Sequence, residues 1–78
     1  MKKEEVREWL QSKIAEESGV PVNEISCEED FENFQLDSLS IVSISYELES
    51  QLNMEISPTA FSEFNTINKL AAWINSQK

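Results

Sequence analysis

The segment Gln35–Leu52, QLDSLSIVSISYELESQL, decides how this chain is read. Its apolar residues recur at Ile41, Ile44, Leu48 and Leu52, which is helical spacing. Asp37 stands just before them, where a carboxylate can accept from the free N–H groups of a first helical turn. The pattern predicts a helix from Ser38 to Leu52 capped by Asp37. Ser38 then falls in the first turn, its hydroxyl toward solvent beside unpaired N–H groups and the positive end of the helix dipole. A phosphate ester on that oxygen is electrostatically favoured. Ser40, Ser43 and Ser45 are weak helix formers, so packing against other helices has to hold this one.

Working outward, Val6, Trp9, Leu10 and Ile14 predict an amphipathic helix over Lys3–Ser18, with Trp9 as a core anchor. Gly19 is placed to end it in the left-handed conformation, and Pro21 prevents continuation. Residues 20–36 form a connection longer than compact domains usually leave structureless. Val20, Val22, Ile25, Phe31, Phe34 and Leu36 are expected to pin it inward, with a short turn near Asn23–Ser26 and the acidic run Glu28-Glu29-Asp30 in water. Beyond Asn53, Met54–Ser57 reads as a loop with Ile56 in the core. Ser57 and Pro58 are expected to open a short third helix reaching Glu63 or Phe64, with Phe61 and Phe64 both inward. Thr66 caps a fourth helix to about Ser76, whose Ile67, Leu70, Ala71 and Ile74 close the core beside Trp73. The expected fold is a small all-α bundle of four helices, three longer and one short, with a long loop between the first two.

The length of 78 residues predicts a single domain over 1–78. With 15 acidic residues against 6 basic, the formal charge of −9 repels nucleic-acid phosphates and anionic membranes, so the expected partners are proteins with basic docking surfaces. There is no signal-peptide or membrane-span pattern, and a cytoplasmic location is expected. Cys27 is the only cysteine and reads as a loop or core-edge thiol. The chain has no histidine, which removes the usual general base, the commonest metal ligand and any Ser-His-Asp or Cys-His arrangement. A self-sufficient catalyst and a metal site are therefore not expected. A single glycine, Gly19, also rules out a glycine-rich phosphate cradle.

Leu36-Asp37-Ser38-Leu39, preceded by Phe31 and Phe34 and followed by a helix ending Glu47-Leu48-Glu49, resembles the phosphopantetheine attachment site of acyl carrier proteins. The resemblance extends through Ile56-Ser57-Pro58-Thr59-Ala60-Phe61 and Thr66-Ile67 to Leu70-Ala71-Ala72-Trp73-Ile74. It implies that Ser38 receives 4′-phosphopantetheine from coenzyme A through a phosphopantetheinyl transferase. The terminal thiol of that arm would hold acyl groups as thioesters for loading and processing enzymes such as a ketosynthase or acyltransferase. The implied role is a non-catalytic, monomeric carrier. Two positions depart from the family: Gln35, where glycine is common, and Asn65, where proline is frequent and whose replacement implies a less stiff linker. Leu39, Val42, Ser43, Tyr46 and Glu47 lie on or near the flank carrying Ser38 and, with Asp37, form the candidate partner-recognition face. For Leu39, Val42 and Tyr46 the alternative is ordinary helix packing. Fatty-acid carriers typically have more carboxylates along this helix, so its thinner charge resembles polyketide-type carriers. Two alternatives stand beside that reading: a peptidyl carrier of non-ribosomal synthesis, and an acidic interaction module that is never modified.

Overall fold

The computed structural model describes residues 2–77. Helix α1 spans Lys3–Ser18, α2 Ser38–Leu52, α3 Ala60–Glu63 and α4 Ile67–Ser76, an all-α arrangement with three longer helices and one short one. The ends are set by local chemistry. Glu5 reaches back to the backbone N–H of Lys2 at 3.1 Å and closes the start of α1. Gly19 takes φ 78°, ψ 2° and donates its N–H to the Ala15 carbonyl at 3.0 Å, a left-handed stop that costs glycine nothing. Asn53 ends α2 in the same region at φ 52°, which its short amide side chain tolerates. Thr66 accepts from the Lys69 N–H at 3.2 Å and opens α4.

Val6, Leu10 and Ile14 of α1, Ile44 and Leu48 of α2, and Ile67, Leu70 and Ile74 of α4 are buried together, with α1 packed chiefly on α4. Ser45 is buried among them. Its hydroxyl donates to the Val42 carbonyl at 2.8 Å, so a polar group enters the core already satisfied.

The long connection holds two 3₁₀ turns, Val22–Glu24 and Phe31–Phe34. Ile25, Phe31 and Phe34 are buried as expected, and the Phe31 and Phe61 rings meet at 5.1 Å. Val22 is 50% exposed and takes no part in the pinning, because the first turn faces it outward. Asp30 departs from expectation too. It is half-buried, accepts from the Glu32 N–H at 2.9 Å and accepts a short hydrogen bond from the Asn65 side-chain amide. Backbone bonds from Phe31 N–H to the Asn65 carbonyl and from Asn68 N–H to the Cys27 carbonyl, both 3.0 Å, complete the attachment. Asn65 therefore fastens its linker where the missing proline implied a looser one. Cys27 is half-buried, and desolvation pushes its thiol up.

Two further expectations are corrected. The third helix begins at Ala60, later than Ser57–Pro58, because Ala60 and Phe61 donate to the carbonyls of Ser57 and Pro58 at 2.9 and 3.1 Å, making a tight i→i+3 turn first. Phe64 is only half-buried. It has left the helix, with φ −115° and ψ 78°, and stacks on Trp73 at 5.3 Å and 20°.

Asn65→Ala should lower the unfolding free energy by about 1.5–3 kcal/mol, the range for a hydrogen bond to a charged group. In a urea-denaturation double-mutant cycle with Asp30→Ala the two losses should fall short of additivity; strictly additive losses would show that the pair is not coupled.

Candidate functional site

The approach to Ser38 is shaped by the residue that departs from the family pattern. Gln35 closes the second 3₁₀ turn at φ 56°, ψ 37°, donating its N–H to the Glu32 carbonyl at 3.3 Å. This is the left-handed region, where glycine is comfortable and a residue with a Cβ is strained. The backbone path is thus kept and glutamine bears the strain. Leu36 then turns partly inward, and Asp37 is extended at φ −86°, ψ 175°.

Asp37 Oδ1 accepts from the Ser40 N–H at 2.8 Å, and its carbonyl accepts from Ile41 N–H at 3.1 Å, so α2 starts at Ser38. The bond from the Ser40 backbone, chiefly, holds the Asp37 carboxyl below its ordinary range. Ser38 is exposed at the first helical position. The electrostatic welcome for a phosphate there is weaker than a bare helix start suggests. Asp37 already occupies one first-turn donor, and Glu17 of α1 accepts from the Ser40 hydroxyl at 3.5 Å, adding a second carboxylate.

Leu39 is 80% exposed, Tyr46 71% and Val42 39%, so none of the three is core packing, and Ser43 lies exposed among them. Glu47 is exposed, but Lys13 of α1 binds it at 3.1 Å, meets Glu16 at 3.3 Å and lies 5.6 Å from the centre of the half-buried Trp9 ring. Glu47, then Glu16, raises the Lys13 pKa. Lys13 thus offsets one carboxylate on the face beside Ser38, while Glu16 and Glu17 of α1 add two. Lys13 and Glu17 carry no signal in the linear sequence, since only the packing of α1 brings them here.

A recess of about 220 Å³ opens between the long loop, α2 and α3, lined by Phe31, Leu36, Ile41 and Phe61 among others. Leu36 and Ile41 bracket Ser38 in the chain. An exposed hydroxyl on a capped helix, beside a recess lined both by these apolar side chains and by Asp30, Glu32, Ser62 and Asn65, suits a covalently held arm of mixed polarity. Among the described residues, no helix is long and apolar enough to cross a membrane, and no group of three His, Cys, Asp or Glu is placed to hold a metal.

Such a bundle, with an exposed serine opening its second helix, is the arrangement of the carrier class. The chain matches the family described as Phosphopantetheine attachment site over residues 8–74 and belongs to it; it is a carrier protein, and its cofactor is covalent 4′-phosphopantetheine. Over 73 residues, 94% of this chain, it is 26% identical to polyketide synthase PksL of Bacillus subtilis (strain 168), of whose length it spans 2%. The free-standing peptidyl carrier protein from an uncharacterized Acinetobacter baumannii secondary metabolic pathway is 29% identical and superposes with a TM-score of 0.91, over 97% of this chain and 95% of that one. The HMG-ACPI domain of the CurA module from Lyngbya majuscula shares the fold, with a TM-score of 0.83 at 22% identity, over 96% of this chain and 80% of that one.

Two outcomes are expected from this geometry. Gln35→Gly should raise stability by about 1 kcal/mol through relief of the left-handed strain, net of the entropy glycine adds to the unfolded chain. Because folding lowers the Asp37 pKa, its contribution is present above the unfolded carboxylate value, about 3.9, and is lost as pH falls through the folded value. The stability gap between the native chain and Asp37→Ala should therefore be widest near neutrality and shrink below about pH 4. A gap independent of pH, in urea titrations across that range, would contradict a capping carboxylate.

Proposed function

We propose that Ser38 is the serine that a phosphopantetheinyl transferase esterifies with 4′-phosphopantetheine from coenzyme A. The terminal thiol of the arm then holds an acyl intermediate as a thioester for partner enzymes of polyketide or related acyl biosynthesis, ketosynthase and acyltransferase among them. The observation that carries this reading is the exposed Ser38 hydroxyl on the first residue of an Asp37-capped helix. In this role the domain, 1–78, is a monomeric cytoplasmic protein that other enzymes act upon and that catalyses nothing itself. A peptidyl carrier is the second reading, favoured by the 29% identity and near-complete overlap with the Acinetobacter protein.

Asp37, Leu39, Val42, Ser43, Tyr46 and Glu47 are the proposed recognition residues. The physical logic is tethering: a flexible arm presents its cargo at high local concentration wherever the domain docks, and a weak interface lets the domain leave. With Glu47 already paired to Lys13, the docking contact is led by Leu39, Val42 and Tyr46, while the charge of −9 acts at longer range to steer encounter. The recess of about 220 Å³ is smaller than the roughly 300–1,000 Å³ of typical ligand pockets, so it suits only a short portion of an acyl chain in this conformation.

Incubation with coenzyme A and a phosphopantetheinyl transferase should add one phosphopantetheine per chain by mass spectrometry, and Ser38→Ala should add none. Absence of modification by several transferases would favour the interaction module. Tyr46→Ala should leave this loading intact but slow acyl transfer to or from a partner by about tenfold, the scale of an interface anchor; unchanged rates would remove Tyr46 from the face. Glu47→Gln is the cleaner test at that position, because Glu47→Lys would set a second cation beside Lys13.

A further inference from the structure

Gln35 is strained in a way that its place in the fold does not explain. Among the described residues two non-glycine positions have positive φ, Gln35 at 56° and Asn53 at 52°. Asparagine tolerates the left-handed region because its short amide bonds locally, and the longer glutamine lacks that advantage. Glycine would keep the same backbone path and the same bond from this N–H to the Glu32 carbonyl. The fold thus needs the dihedral and has no need of the side chain. That side chain is exposed and stands outside the core, and the turn holds Gln35 through its backbone. Strain of this kind persists where the residue serves a function.

Its position says which function. Gln35 stands three residues before Ser38, and three residues of extended chain reach at most about 11 Å. A standard interface covers about 800 Å² on each partner, a patch of roughly 16 Å radius. An enzyme that acts on the Ser38 oxygen itself has to centre near it, and so covers Gln35. Enzymes that act at the far end of a flexible arm have no such obligation. Leu36 turns partly inward and the Asp37 carboxylate is committed to the Ser40 N–H. Of the three residues before Ser38, Gln35 therefore has the polar group left free for a partner, an uncharged amide with two N–H donors and a carbonyl acceptor. Resting on the reading of Ser38 as the esterified serine, we propose that Gln35 is a further recognition residue for that esterification, its side-chain amide hydrogen-bonding the transferase that brings coenzyme A. In the step itself the Ser38 oxygen bonds to the phosphorus that bears pantetheine and the pyrophosphate P–O bond breaks. Adenosine bisphosphate leaves with the electron pair, and the serine proton passes to a base of the transferase. Gln35 touches none of the reacting atoms. It holds the carrier on the enzyme equally before and during the reaction, so its loss raises KM and leaves kcat unchanged.

The test is steady-state loading of the full chain with coenzyme A and a transferase that modifies the native protein, followed by mass spectrometry and read for KM and kcat separately. Gln35→Met keeps the length and the left-handed strain and removes the amide; Gln35→Gly removes both. Each should raise the KM for the carrier about two- to tenfold, the scale of one neutral hydrogen bond, with kcat unchanged. Gln35→Gly is expected to be the more stable chain, so its loss would not come from unfolding. Asn53→Gly alters the other left-handed residue, about 22 Å beyond Ser38 along α2, and should load with the native KM. A native KM in Gln35→Met would overturn the proposal, as would a fall in kcat at unchanged KM or an equal rise in KM in Asn53→Gly. Failure of several transferases to load the native chain would overturn the reading of Ser38 and this proposal with it. Loading that is uniform across the variants overturns the role of Gln35 alone.

Discussion

The attachment of the long loop to the α3–α4 linker is the constraint on which the site depends. A connection of this length has too much conformational entropy to hold a helix start in place unless something fastens it. Two backbone hydrogen bonds, Phe31 to Asn65 and Asn68 to Cys27, fasten it at the middle, and the Asp30–Asn65 side-chain pair reinforces them. Burial of Phe31 and Phe34 supplies the larger share of the driving force, since each aromatic side chain removes on the order of 2 kcal/mol worth of apolar surface from water. The position of Asp37, and through it the first turn of α2, is inherited from this arrangement.

At that first turn, the fold separates two electrostatic roles that a count of charges merges. The chain is strongly acidic overall, which acts at a distance on the approach of a cationic partner. Close to Ser38, however, the carboxylates are committed to local work. Asp37 caps α2, Glu17 meets Ser40, and Glu47 is held by Lys13. What remains free for contact on the adjoining flank is largely apolar: Leu39, Val42 and the ring of Tyr46. A contact surface of this kind gives an interface whose strength responds weakly to salt even though its encounter rate responds strongly.

The two ends of α2 therefore differ in chemistry. The N-terminal end offers a hydroxyl on a helix start beside a small recess of mixed polar and apolar lining. Around the C-terminal end gather unpaired carboxylates over an aromatic floor. A single rigid helix of Ser38–Leu52 joins them, so whatever docks at one end is held at a set distance and direction from the other. The helix owes that rigidity to Ile44, Ser45 and Leu48, which are buried against the rest of the bundle.

The sequence by itself determined the helices and their stops, because apolar periodicity, Gly19, Asp37 and Thr66 act within a few residues of where they stand. It also marked Ser38, whose place follows from the cap beside it. The same local logic misjudged Val22, Phe64 and the start of α3, where one dihedral or one i→i+3 bond turns a side chain away from the face its spacing suggests. Only the tertiary structure decided that Asn65 would brace Asp30, that Lys13 would neutralise Glu47, and that Phe64 and Trp73 would line an acidic groove. The first two join residues more than thirty positions apart, and the third sets side chains of the α3–α4 region against Glu49 of α2. Such contacts exist only once the apolar core has brought their helices together, and no residue carries a local mark of the partner it will meet.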